Sequence, residues 1–195
     1  MQTGSLRSLA GVVTVMVALE ALYLPSLLIT QTVAPELVQT SIVPIINELD
    51  VAVMIFRIAT MIVFSVWIHV AGRNLVNAGF DDLEFTPGSR IWWFAIPIAN
   101  LFKPYQGMRE LWNASHGSNA YTEGNALIGV WWALWLGSGL ISQIAFRMGD
   151  ASTPGLFWAE SAADLALAAV AIALVRGITQ AQERLTDEAL AEVFA

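Results

Sequence analysis

Residues 51–71 read VAVMIFRIATMIVFSVWIHVA, 21 positions that carry a single formal charge, Arg57. A helix crossing a hydrocarbon core of about 30 Å needs roughly 20 apolar residues, so this run is long enough to span a bilayer. Three further runs match it in length and character, at about 9–30, 126–146 and 158–178. Each is expected to be helical, because in lipid a backbone must satisfy its own hydrogen bonds. The first run carries Glu20 and Pro25, and its A-x-A-like site, Thr32-Val33-Ala34, is followed by Pro35, so it reads as a retained span rather than a cleaved leader. The expected fold is all-α: an integral membrane four-helix bundle forming a single domain over 1–195.

Composition agrees. Hydrophobic residues make up 56% of the 195 positions and charged residues only 13%, far from the average soluble domain. A net charge of −7 without a Lys/Arg cluster excludes nucleic acid as a partner, since phosphate binding needs a basic face. The absence of cysteine removes disulfides, thiolate zinc sites and Cys nucleophiles. Two histidines, His69 and His116, are too few for a metal or haem site, and no cofactor is expected. The glycine loops and hydrolase or metalloprotease motifs of common enzymes are missing as well.

Arginine and lysine orient the chain. With the N-terminus inside, Arg7, Arg73, Arg90, Lys103, Arg109, Arg176 and Arg184 fall on the cytoplasmic side, and Arg147 falls outside. Both termini are then cytoplasmic, including a short tail, 180–195, in which Thr186 is placed to cap a last helix. Between the second and third spans lies a connection whose segment of about 90–116 contains the patch Ile91-Trp92-Trp93-Phe94-Ala95-Ile96-Pro97-Ile98. The patch is too short to cross, and extending it would draw Lys103, Arg109 and Glu110 into the bilayer. An additional cytoplasmic-side helix, interfacial or re-entrant, is the expectation. At 100° per residue, Leu101, Tyr105, Met108, Leu111 and Trp112 share one face, and Lys103, Gln106, Arg109, Glu110 and Asn113 the other.

Several stretches carry a family likeness: Arg73-Asn74-Leu75, the run from Trp92-Trp93-Phe94 through Pro97-Ile98-Ala99-Asn100-Leu101-Phe102-Lys103-Pro104-Tyr105-Gln106, Met108 to Trp112, and Val130-Trp131-Trp132-Ala133-Leu134-Trp135. The chain resembles, from about residue 10 to 178, a bacterial family of four-helix membrane proteins catalogued as a domain of unknown function. That resemblance implies a topology, the bacterial cytoplasmic membrane and a shared inner-face motif, but no activity. Ser65 to His69 departs from the family pattern, as does Lys103, where Arg is commoner.

Charges within spans are costly and usually face a partner. Glu20, Arg57 and Asp164 are the candidates, and the expected contact is Arg57 with Asp164 or Glu20, serving as a gated ion or proton site or as a structural ion pair. Asn100, Lys103, Tyr105, Gln106, Arg109, Glu110 and Trp112 form a candidate inner-face surface for an anionic lipid or a partner's acidic segment. Small residues Gly129, Ala133 and Gly137, with Ala162 and Ala166, are expected to pack helices together. Asn100 is expected to satisfy carbonyls freed by Pro97 and Pro104. The functional expectation is a non-enzymatic accessory or scaffold protein that associates with membrane lipids and with another integral membrane protein or complex, homo-oligomerisation being a further option. A small oligomeric ion or proton transporter is the alternative. A weaker one is a lipid-modifying enzyme using Tyr105, Arg109, Glu110 and His116.

Overall fold

The computed structural model describes residues 3–149 and 153–194, with side chains to residue 187. Five helices dominate: α1 (Thr3–Val33), α2 (Ile46–Asn77), α3 (Lys103–Ser115), α4 (Ala126–Met148) and α5 (Pro154–Phe194). No strand occurs among the described residues. Four of the helical stretches are long and apolar enough to cross a membrane, and the chain is a multi-pass, all-α membrane bundle.

The helices overrun the apolar runs at almost every end, because hydropathy registers only the lipid-embedded turns while the hydrogen-bond ladder continues beyond them. The acidic connection at 31–50 is not a loop: only Ala34 is non-helical. Pro35 opens a short turn, Pro35–Leu37, followed by a π-helical stretch, Val38–Ile42, and a 3-10 turn, Val43–Ile45. Pro44 explains the change of pitch, since it cannot donate to the carbonyl four residues back and its ring crowds that carbonyl. The tail is likewise no separate helix. Its residues continue α5, where the Thr186 hydroxyl donates to the Gln182 carbonyl (2.9 Å) instead of capping.

Contacts order the long helices as α2–α1–α5–α4, with α2 and α4 at the two ends. Arg7 at the start of α1 meets Glu183 late in α5 at 2.7 Å, so α1 and α5 run antiparallel and both termini lie on one side. On that termini side α3 packs against α5, α4 and α2. The core sits there too. Leu6 and Val13 of α1, Trp67 and Leu75 of α2, Met108 and Leu111 of α3, Ile128 and Trp131 of α4, and Leu174 and Ile178 of α5 are all buried together. Toward the opposite side the helices expose large side chains such as Ile29, Met54 and Phe146, the surface expected where lipid tails rather than protein form the surroundings.

Close approach depends on glycines other than the expected ones. A Cβ on Gly129 or Gly137 would meet nothing within 4 Å. Ala133, Ala162 and Ala166 are exposed. Those small residues therefore face outward and do not join the helices. The tight contacts are at Gly72, against Arg90, and at Gly177, against Trp112.

Candidate functional site

The best-built polar cluster surrounds Arg90. A turn at Thr86, whose hydroxyl accepts from the Ser89 amide (3.1 Å), leads into the short helix Ser89–Trp92 and aims Arg90 inward. Arg90 is 1% exposed and Glu110, on α3, is 4% exposed; Arg90 Nη2 donates to Glu110 Oε1 at 2.5 Å. The same carboxylate accepts from the backbone amides of Glu84 (2.6 Å) and Phe85 (3.1 Å). Gly72 and Gly107 make room: a Cβ on Gly72 would stand 2.8 Å from Arg90 Nη1, and one on Gly107 would stand 3.4 Å from Arg90 Cγ. Burial pushes the Arg90 pKa down from its ordinary value, and the Glu110 charge beside it pulls the other way. The guanidinium keeps its proton.

Glu110 is thus not part of a solvent-facing surface, and its lone pairs are committed to three donors rather than free for general-base chemistry. The helical wheel misplaced it for a physical reason. The buried arc of α3 includes Gly107, Met108, Glu110, Leu111, Asn113, Ala114 and Ser115, about 220° of the circumference at 100° per residue. Gly107, Ala114 and Ser115 add little hydrophobicity to a wheel, yet they let neighbours close in over both flanks of the apolar stripe.

Further buried polar contacts fasten the termini side. Gln182 donates to Ser115 Oγ (3.0 Å) and to the Ala71 carbonyl (3.0 Å) while accepting from Asn74 (3.1 Å), so one α5 side chain ties α2 to α3. Trp67 Nε1 donates to Thr179 at 3.2 Å. Asn113 reaches the carbonyls of Ala120, Tyr121 and Glu123 and folds the 116–125 loop over α3.

The segment from Trp92 to Phe102 folds back against the first turns of α4. Phe94 packs edge-on against Trp132 and Trp135, and Trp132 Nε1 donates to the Leu101 carbonyl at 3.0 Å. Those tryptophans lie roughly 9 and 14 Å along α4 from Ala126, at about 1.5 Å per residue, so the segment dips beside α4. The Trp132 bond thus satisfies the Leu101 carbonyl just ahead of Pro104, while Asn100 Oδ1 is buried without a partner. Ile98 stands at φ 69° and ψ −55°, the centre of a strained γ-turn closed by the Ala99 amide donating to the Pro97 carbonyl (2.8 Å), and a genuine outlier for a β-branched residue. Outward from this turn point Trp92 (71% exposed), Ile98 (77%) and Leu101 (58%).

The remaining members of the expected inner-face surface are dispersed. Lys103 pairs with Glu84 at 3.1 Å and lies over Phe85 and Trp93. Tyr105 carries Arg109 over its ring, 5.3 Å from the centroid, and Gln106 is half-buried. Trp112 stacks on His116 and covers Gly177. His116 Nδ1 lies 2.8 Å from the Trp112 carbonyl. No group of three potential metal ligands forms among the described residues.

The intramembrane trio does not assemble. Arg57 is exposed on α2 and makes no ion pair with Glu20 or Asp164. The reason is the helix order: α1 separates α2 from α5 over most of their length, and the α2–α5 bonds, Trp67 to Thr179 and Asn74 to Gln182, lie at the termini end. Glu20 Oε1 is buried without a partner. Asp164 turns the other way and accepts from Ser138 of α4, and one turn along Glu160 accepts from Ser142. Ser138, Ser142, Glu160 and Arg90 escaped the sequence reading. The four-residue spacing of both pairs was the available signal for the first three. For Arg90, counted only as one of many inner-side cations, nothing local marked it as buried.

Comparison with known proteins finds that the profile of a family described as a domain of unknown function (DUF4328) matches residues 31–185. The matched stretch contains Arg90, Glu110, the segment 92–102 and both serine–carboxylate pairs. No curated protein and no solved structure matches the chain.

Proposed function

The chain belongs to the DUF4328 family, a domain of unknown function that brings no activity with it, and we propose from its geometry that it is a non-enzymatic accessory protein docking against another integral membrane protein through the segment 92–102. The carrying observation is Ile98, which sits at the centre of a strained γ-turn with positive φ and is 77% exposed. A non-glycine residue in so sparsely populated a backbone conformation costs of order 1–3 kcal/mol and persists only where its surroundings over-determine it. Here they do, through Phe94 against the α4 tryptophans, the Trp132 bond to Leu101 and the Arg90–Glu110 pair beneath. A segment that merely plugged the end of the bundle would turn its large side chains inward. This one turns Trp92, Ile98 and Leu101 outward on a rigid base, as an interface anchor does.

The termini side, rich in arginine, is the cytoplasmic face of a bacterial inner membrane in this reading. A photoreactive residue at position 98, compared with one at Phe146 on the opposite side, tests the docking surface. A discrete protein adduct confined to position 98 is the expected result, and adducts to lipid alone at both positions would sink the accessory reading. A single cysteine at Ser118 of this cysteine-free chain checks the orientation in the same cells, since a cytoplasmic site is shielded from an impermeant maleimide.

The two serine–carboxylate pairs favour a second reading, an oligomer that moves protons or small cations past Glu160 and Asp164. Asp164 lies about 15 Å along α5 from Pro154 at 1.5 Å per residue, near the middle of a 30 Å core. Flux in proteoliposomes that Asp164→Asn abolishes would support it; wild-type protein without flux would remove it.

A further inference from the structure

An open crevice on the termini side runs between α1 and α5, lined among others by Arg7, Gly11, Thr14, Arg176, Gln180 and Glu183. We infer that this crevice binds the phosphate headgroup of an anionic phospholipid, whose acyl chain descends beside Val15 into the bilayer. Arg176 lies 22 residues along α5 from Pro154, about 33 Å at 1.5 Å per residue, which puts it where lipid phosphates lie at the edge of a 30 Å core. It is exposed and has no ion-pair partner among the described residues, whereas Arg7 is held by Glu183 at 2.7 Å. The crevice lining therefore carries two arginines against one carboxylate; the second carboxylate nearby, Asp187, acts on Arg7, and Arg176 is the cation left at phosphate depth. Thr14 and Gln180 place a hydroxyl and an amide beside it. The space beside Gly11 is vacant rather than packed: a Cβ there would meet nothing within 4 Å. Basic recesses between transmembrane helices are suited to anionic headgroups. This site lies apart from the segment 92–102, so it stands or falls independently of the docking reading.

The test is native mass spectrometry of the detergent-solubilised full chain, incubated with equal amounts of phosphatidylglycerol and phosphatidylcholine. Wild-type protein is expected to retain phosphatidylglycerol preferentially. Arg176→Gln is expected to weaken that retention about fivefold, the effect of one basic residue near a membrane surface. Gly11→Leu, which fills the crevice from a position where added atoms meet no neighbour, is expected to remove the preference. Arg147→Gln, on the opposite side, should leave retention unchanged, and circular dichroism with thermal unfolding should show all three variants folded. Equal retention in wild type, Arg176→Gln and Gly11→Leu would overturn the proposal. So would displacement of the lipid by millimolar inorganic phosphate, which would assign the crevice to a soluble phosphate compound instead.

Discussion

Glu110→Ala is expected to destabilise the folded protein by about 3–5 kcal/mol, the cost of removing one partner from a buried ion pair. The mechanism is the stranding of donors. With the carboxylate gone, Arg90 remains 1% exposed with its charge unbalanced, and its Nε and Nη1 already lack partners. The backbone amides of Glu84 and Phe85 lose their acceptor at the same time. Glu110→Gln should fall between wild type and alanine, because an amide oxygen still accepts from one amide but carries no charge for the guanidinium. Replacing both residues, Arg90→Met with Glu110→Gln, should recover part of the loss, since the double change leaves no unpaired buried charge. Thermal and denaturant unfolding in a mild detergent reads all four proteins. An alanine variant within 1 kcal/mol of wild type would mean that water reaches Arg90 and that the pair does not organise the 84–110 region. A correspondingly severe loss should reach the segment 92–102, which hangs between Arg90 and α3, so photo-crosslinking from position 98 should fade in Glu110→Ala even at temperatures where the four spans persist.

The four spans were legible because hydropathy over 20 residues is a strong, one-dimensional signal, and residues 51–71 or 126–146 needed nothing from the rest of the chain to declare themselves. Their partners were not. Arg57, Glu20 and Asp164 looked like a cluster because depth along a helix can be counted from sequence, but azimuth and helix order cannot. With α1 lying between α2 and α5, Arg57 and Asp164 point into different surroundings. The same blindness reversed the small residues: Gly129, Ala133 and Gly137 repeat at helical spacing yet face outward, whereas isolated Gly72 and Gly177 are where side chains press in. For the candidate site, the segment 92–102 was visible as an apolar patch too short to cross. Its anchor was not, because an Arg and a Glu 20 positions apart on a charged connection between two spans resemble ordinary surface residues until α3 is seen to be covered on both flanks.

Gly177 offers the sharpest separation between packing and propensity. A Cβ at this position would stand 2.6 Å from the Trp112 ring, inside any real contact distance, so Gly177→Ala must displace the indole. The ring has little freedom to yield, being stacked on His116 at 4.3 Å. Overpacking of this kind costs about 1–3 kcal/mol. Against it stands the helix-propensity gain of alanine over glycine, about 1 kcal/mol, and the clash should win. In a Trp112→Leu background the obstacle is gone, and the same Gly177→Ala change should become neutral or stabilising. The difference between backgrounds gives a coupling energy expected to exceed about 1 kcal/mol, within the range found for residues in contact. Gly129→Ala is the built-in control, because a Cβ there meets nothing and only propensity acts. Thermal unfolding of the cycle in detergent decides the matter. If Gly177→Ala lowers stability equally with and without Trp112, the indole does not cover α5 as described, and α3 sits farther from the bundle than its contacts show.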